Sequence, residues 1–209
     1  MPVRNFLGAT FVAFVDISGF KEMMKGDGSY AVRALDKLNQ AGYDILRNNH
    51  NINGFFISDC GILFVNNPEL SKRDQLMCLL DVVRSINRAL IKNDIILTTC
   101  IAFGQFSYHQ RLEFEGIEKN PIYGNAYVAA FLDSEMGKPK IQPGQCRILD
   151  HYVNELNLDQ IDLIEKSNAH FYYYWMADGT DEISDFKNAY SDAYRLRYQG
   201  ILSALKRNR

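Results

Sequence analysis

Apolar residues along this chain follow two periods. Continuous runs over residues 10–16 and from Ile95 to Phe103 read as buried strands. Between them, Ala31, Ala34, Leu35, Leu38, Ala41, Gly42, Ile45 and Leu46 recur at helical spacing, after a Gly-Asp-Gly-Ser turn (26–29) suited to start a helix. Residues 53–58 and 61–65 form two short β-rich runs, a hairpin with Asp59 at its tip. Pro68 and Ser71 introduce a second helix carrying Leu76, Leu79, Leu80, Val83, Ile86 and Leu90.

The second half is more polar. Gly104 ends the strand pattern, and residues 106–115 alternate like a projecting hairpin. Tyr123-Gly124-Asn125-Ala126 opens a third helix reaching about Met136, and a Gly/Pro/Lys loop leads to a short strand at residues 146–149. His170 to Met176 is an aromatic strand, expected at a sheet edge or in dimer packing, and residues 185–206 read as a terminal helix. The order βαββαβαβ predicts an α+β fold with helices on one face of the sheet and C-terminal strand and helix additions. The chain is expected to be one domain over residues 1–209, with a core at about 8–150 and an extension at about 151–209.

Composition excludes several classes. A formal net charge of −2 leaves no electrostatic footprint for DNA or RNA, so no nucleic-acid partner is expected. No run approaches the roughly 20 apolar residues of a membrane span, and the N-terminus lacks the build of a secretory signal. Cys60, Cys78, Cys100 and Cys146 are scattered, as reduced thiols in a cytoplasmic protein would be. The four histidines show no metal-ligand spacing.

Candidate chemistry centres on Asp16 and Asp59, each at the end of a strongly apolar run. A carboxylate among hydrophobes is costly unless a cation offsets it. Two at neighbouring strand ends could share a divalent ion with phosphate oxygens. Read singly, each is also an ordinary turn former or helix N-cap.

In this setting Asp16-Ile17-Ser18-Gly19-Phe20 resembles the opening motif of the class III nucleotidyl cyclases, whose core is ferredoxin-like. Asp59 in its hairpin turn, the Gly104-ended strand followed by an arm, and the helix begun at Gly124 resemble the same family in register over roughly residues 10–150. The resemblance implies that Asp16, Asp59 and the Ile17 carbonyl bind two divalent cations, Mn2+ or Mg2+. It also implies that the amides around Ser18, Gly19 and Phe20 hold a triphosphate, and that a homodimer shares its active sites between subunits.

The departures narrow the expectation. Where purine cyclases carry polar base-reading residues, this sequence has Phe55 and Pro121, neither able to hydrogen-bond a purine edge. The family's transition-state asparagine and arginine fall on Val128 and Leu132. The altered helix, with Gly124, Ala126, Tyr127, Ala129, Leu132 and Glu135, resembles that of the bacterial Pycsar pyrimidine cyclases. A Pycsar-type enzyme would convert UTP or CTP to the cyclic monophosphate, a second messenger of antiphage defence read by a separate effector, with Phe55 against the base. The missing cation is expected from Arg111 or Arg147, with Lys138 and Lys140 as lesser candidates. A catalytically inactive cyclase-fold module that binds nucleotide or protein, and a purine cyclase, are the alternatives.

Overall fold

Strand alternation assigns every side chain of the central sheet to one of two faces. In β1 (Phe6–Ile17), Phe11, Ala13, Val15 and Ile17 enter one apolar cluster, while Val12 and Phe14 enter a second on the opposite side. The computed structural model describes residues 3–184 apart from 26, 115, 116, 120 and 152, with backbone path alone for the rest of 111–119. The terminal helix read at residues 185–206 lies outside the described residues.

After β1 come α1 (Phe20–Met23), α2 (Ser29–Arg47), the hairpin β2 (Ile52–Ile57) and β3 (Cys60–Val65), α3 (Lys72–Ile91) and β4 (Leu97–Tyr108). An arm of β5 (Arg111–Phe114) and β6 (Ile117–Lys119) follows as a separate two-stranded sheet. Then come β7 (Ile122–Tyr123), α4 (Asn125–Met136), β8 (Cys146–Leu149), β9 (Ile164–Ser167) and β10 (His170–Tyr173). The main sheet runs β2-β3-β1-β4-β8-β10-β9, with β7 beside β4. The β4–β8 pairing is parallel and its other pairings are antiparallel.

Three expectations are corrected. The helices do not share one face. α2 and α3 cover the face of Phe11 and Val15, whereas α4 lies over Val12, Phe14 and Ala102 through its small residues Ala126 and Ala130. Gly104 does not end its strand, because β4 continues to Tyr108. A Cβ at Gly104 would stand 2.4 Å from the Asn125 side-chain oxygen, so this glycine lets α4 descend onto the sheet. Gly124 serves the same approach from the helix side, at φ 137° with its backbone against Gln105 and Phe106. Finally, β10 lies inside the sheet between β8 and β9, its Phe171 and Tyr173 buried in the core.

A buried polar cluster ties α4 to the sheet. The Asp133 carboxylate accepts from Arg147 Nε at 2.8 Å and Nη2 at 2.8 Å, and lies 2.9 Å from His170 Nε2. Arg147 also donates to the Pro139 carbonyl at 2.6 Å and the Asp133 carbonyl at 2.7 Å. Breaking one partner of such a pair leaves a desolvated charge behind. Asp133→Leu should therefore destabilise the protein by about 3–5 kcal/mol in urea titrations. The double change Asp133→Leu with Arg147→Met should cost less than that single change.

Candidate active site

Asp16 and Asp59 meet because β1 and β3 pair up to their ends. Asp16 lies opposite Cys60 in register, and Ile17 donates its amide to the Asp59 carbonyl at 2.9 Å. Asp59 sits in the two-residue turn between β2 and β3, where Ser58 takes the left-handed backbone that tight hairpins require (φ 57°). By alternation Asp16 points to the face of Val12 and Phe14, the one α4 covers.

The electrostatics favour a cation. Burial pushes the Asp16 carboxyl up to about 7, reinforced by the charges of Asp59 and Glu135, against a weaker opposing pull from Lys21. Neither aspartate forms an ion pair among the described residues. Three or more His, Cys, Asp or Glu side chains do not cluster among the described residues. Two carboxylates suit an ion that completes its shell with phosphate, carbonyl and water oxygens. Beside them the Ser18 hydroxyl is buried with no hydrogen-bond partner among the described residues, an orphan that an oxyanion or a metal-bound water would satisfy.

The expected phosphate cradle is altered in one detail. The Ser18 amide already donates to the Ile96 carbonyl at 2.8 Å, which leaves its hydroxyl as the group on offer. Gly19, at φ 79°, caps α1, and the amides of Gly19 and Phe20 make no hydrogen bond among the described residues. The sequence reading passed over Lys21, which follows the motif directly and lies near enough to act on Asp16. Adjacency to the Asp-Ile-Ser-Gly-Phe motif was its only signal.

Phe55 is half-buried on β2, its ring 5.3 Å from that of Tyr108, on the α4 side of the sheet. The structure gives Arg147 a role other than phosphate contact. It is fully buried, and its guanidinium is bound to Asp133 and Pro139, so it cannot reach a phosphate without breaking the α4 anchor. Lys138 and Lys140 are exposed on the loop after α4. The Arg111 backbone lies on the arm, and its side chain falls outside the described residues. Val128 and Leu132 are 47% and 41% exposed, and with Met136 (68%) they form an apolar stripe at four-residue intervals.

No protein-family model and no curated protein matches the sequence. Solved structures do. The adenylyl cyclase CyaB from P. aeruginosa aligns at a TM-score of 0.59 and 14% identity, over 81% of this chain and 95% of that one. The guanylate cyclase domain of RhGC from Catenaria anguillulae, solved with GTP, aligns at 0.58 and 14% identity, over 81% of this chain and 96% of that one. A dimeric guanylyl cyclase domain of the RhoGC fusion protein from Blastocladiella emersonii aligns at 0.59 and 14% identity, over 82% and 98%. At such identities the likeness is one of fold. The chain has the mixed α+β fold of class III cyclase catalytic domains.

The raised Asp16 pKa has a consequence for stability. The folded protein holds this proton more tightly than the unfolded chain. Its contribution is therefore intact below about pH 4 and is lost as the pH rises to about 7. Above that, the ionised carboxylate costs about 4 kcal/mol in metal-free protein. Asp16→Asn should raise the melting temperature at pH 8 in EDTA by several degrees and leave it nearly unchanged at pH 4, as differential scanning fluorimetry would read.

Proposed function

We propose that the protein is a metal-dependent nucleotidyl cyclase acting on a pyrimidine nucleoside triphosphate, UTP or CTP. The observation that carries this reading is the meeting of Asp16 and Asp59 at neighbouring strand ends, with the Asp16 carboxyl pushed up to about 7 by burial and by the nearby Asp59 and Glu135 charges. Asp16, Asp59 and the Ile17 carbonyl would hold two divalent cations, Mn2+ or Mg2+. When bound, these supply charge neutralisation on the triphosphate and a lowered pKa at the ribose 3′-hydroxyl.

The chain's own groups do the rest. The Ser18 hydroxyl and the amides of Gly19 and Phe20 receive phosphate oxygens, and Lys21 adds positive charge at the same end. Phe55, backed by Tyr108, walls the base site with a hydrocarbon surface that offers a purine no hydrogen bonds and suits a single ring. In the reaction the 3′-oxygen bonds to the α-phosphorus in line as the bond to the β-phosphate bridging oxygen breaks. Pyrophosphate departs, and the hydroxyl proton passes to water.

With Arg147 locked to Asp133, Arg111 on the arm is the best candidate for the transition-state cation, and in a homodimer with shared sites it could act in trans. The exposed Val128, Leu132 and Met136 stripe supports a homodimer, since such a surface favours burial against a partner. Likeness to the Pycsar enzymes further implies that the cyclic nucleotide acts in the cytoplasm of a bacterium as an antiphage signal for a separate effector. The sequence motif and the absence of any described membrane-crossing helix are compatible with that setting.

Incubation with ATP, GTP, CTP and UTP separately, with Mn2+, should release pyrophosphate from one pyrimidine nucleotide at least tenfold faster than from either purine. Asp59→Ala should abolish the release, and Arg111→Ala should lower turnover at least 100-fold without changing the oligomer. Preferred turnover of ATP or GTP contradicts the base assignment. Absence of turnover with all four favours the inactive module.

A further inference from the structure

A cavity lies away from the aspartate pair, at the free edge of the sheet. It has a volume of about 420 Å³ and is bounded by the C-terminal half of α2, the start of β2 and the segment entering β1. Its charged lining is of one sign: Arg4 and Arg47 border it beside the His50 imidazole, no aspartate or glutamate lines it among the described residues, and neither arginine forms an ion pair among them. In a chain of net charge −2, such a pocket selects an anion.

The remaining lining specifies more than charge. Asn39, Asn49, Asn53 and Asn66 are among its lining residues. Asn39 commits its NH2 to the Leu35 carbonyl at 3.0 Å, leaving its oxygen as an acceptor. Asn49 commits its oxygen to the amides of Asn51 and Ile52, each at 2.9 Å, leaving its NH2 as a donor. The Asn53 amide nitrogen is buried with no acceptor among the described residues, but by alternation its side chain shares the face of Phe55 and not that of Ile52 and Phe56, so it borders the cavity from the strand edge. The exposed Tyr43 ring, with the Arg47 guanidinium 5.9 Å from its centroid, supplies a flat ledge for a planar group.

We propose that this cavity binds a nucleoside monophosphate, its phosphate on Arg4 and Arg47 and its base edge on the asparagine amides. The volume falls within the range of small-ligand sites. Asn53 lies four residues before the end of β2, roughly 13 Å of strand from the Asp59 turn, so this site is separate from the metal-binding end. The inference stands whether or not the protein cyclises nucleotides.

Calorimetric titration of the full chain in EDTA would test it, with UMP, AMP, uridine and inorganic phosphate as separate probes. At least one monophosphate should bind with one site per chain, at least tenfold tighter than uridine or phosphate. Arg47→Glu, on an exposed helix position, should weaken binding at least tenfold with an unchanged melting temperature. Asp59→Ala should have no effect on this binding. The proposal is overturned by no saturable heat with either nucleotide, by phosphate binding as tightly as the nucleotides, or by binding that Asp59→Ala abolishes and Arg47→Glu spares.

Discussion

Antiparallel pairing of β1 with β3, from Val12 opposite Phe64 to Asp16 opposite Cys60, is the constraint on which the candidate site rests. It brings the β2–β3 turn to the end of β1, so that the Ile17 amide finds the Asp59 carbonyl and two carboxylates share one corner of the sheet. One of them is half out of water on a face covered by α4. A carboxylate so placed, its pKa pushed up to about 7, is only partly ionised at neutrality, and nearby positive charge would favour the ionised form. In the proposed reading, this corner is where cations and a polyphosphate would meet.

That corner also depends on how α4 is held. Gly104 and Gly124 let the helix start descend onto β4, while Asp133, Arg147 and His170 fasten its far end to β8 and β10. A cluster of this kind adds little net stability over an apolar substitute, but it fixes one position for the helix. Glu135, two residues beyond Asp133, acts on Asp16 from that position. The sheet additions β8 to β10 thus serve the site indirectly, by anchoring the helix that closes it.

Much of this was legible in the chain, and the failures have physical causes. The strand ends at Asp16 and Asp59 are marked by apolar runs that stop at a carboxylate, and the helices by clean 3.6-residue spacing. Gly104 misled because a glycine that permits close approach looks, in one dimension, like a glycine that ends a strand. Arg147 misled because its partner Asp133 is remote in sequence, so nothing local marks the arginine as paired and buried. The face taken by α4 was hidden for a similar reason: Ala126 and Ala130 contact the sheet where an ordinary amphipathic helix would place larger residues.

Binding of Mn2+ to the protein with 3′-deoxy-UTP, a substrate analogue that cannot cyclise, tests the central claim most directly. Followed by loss of the free-ion electron paramagnetic resonance signal, the wild-type chain should take up two ions per site. Asp16→Asn and Asp59→Asn should each lose at least one of them. Equal uptake by all three proteins, beyond what the nucleotide binds alone, would mean that the ions sit elsewhere and that the paired aspartates are only turn formers.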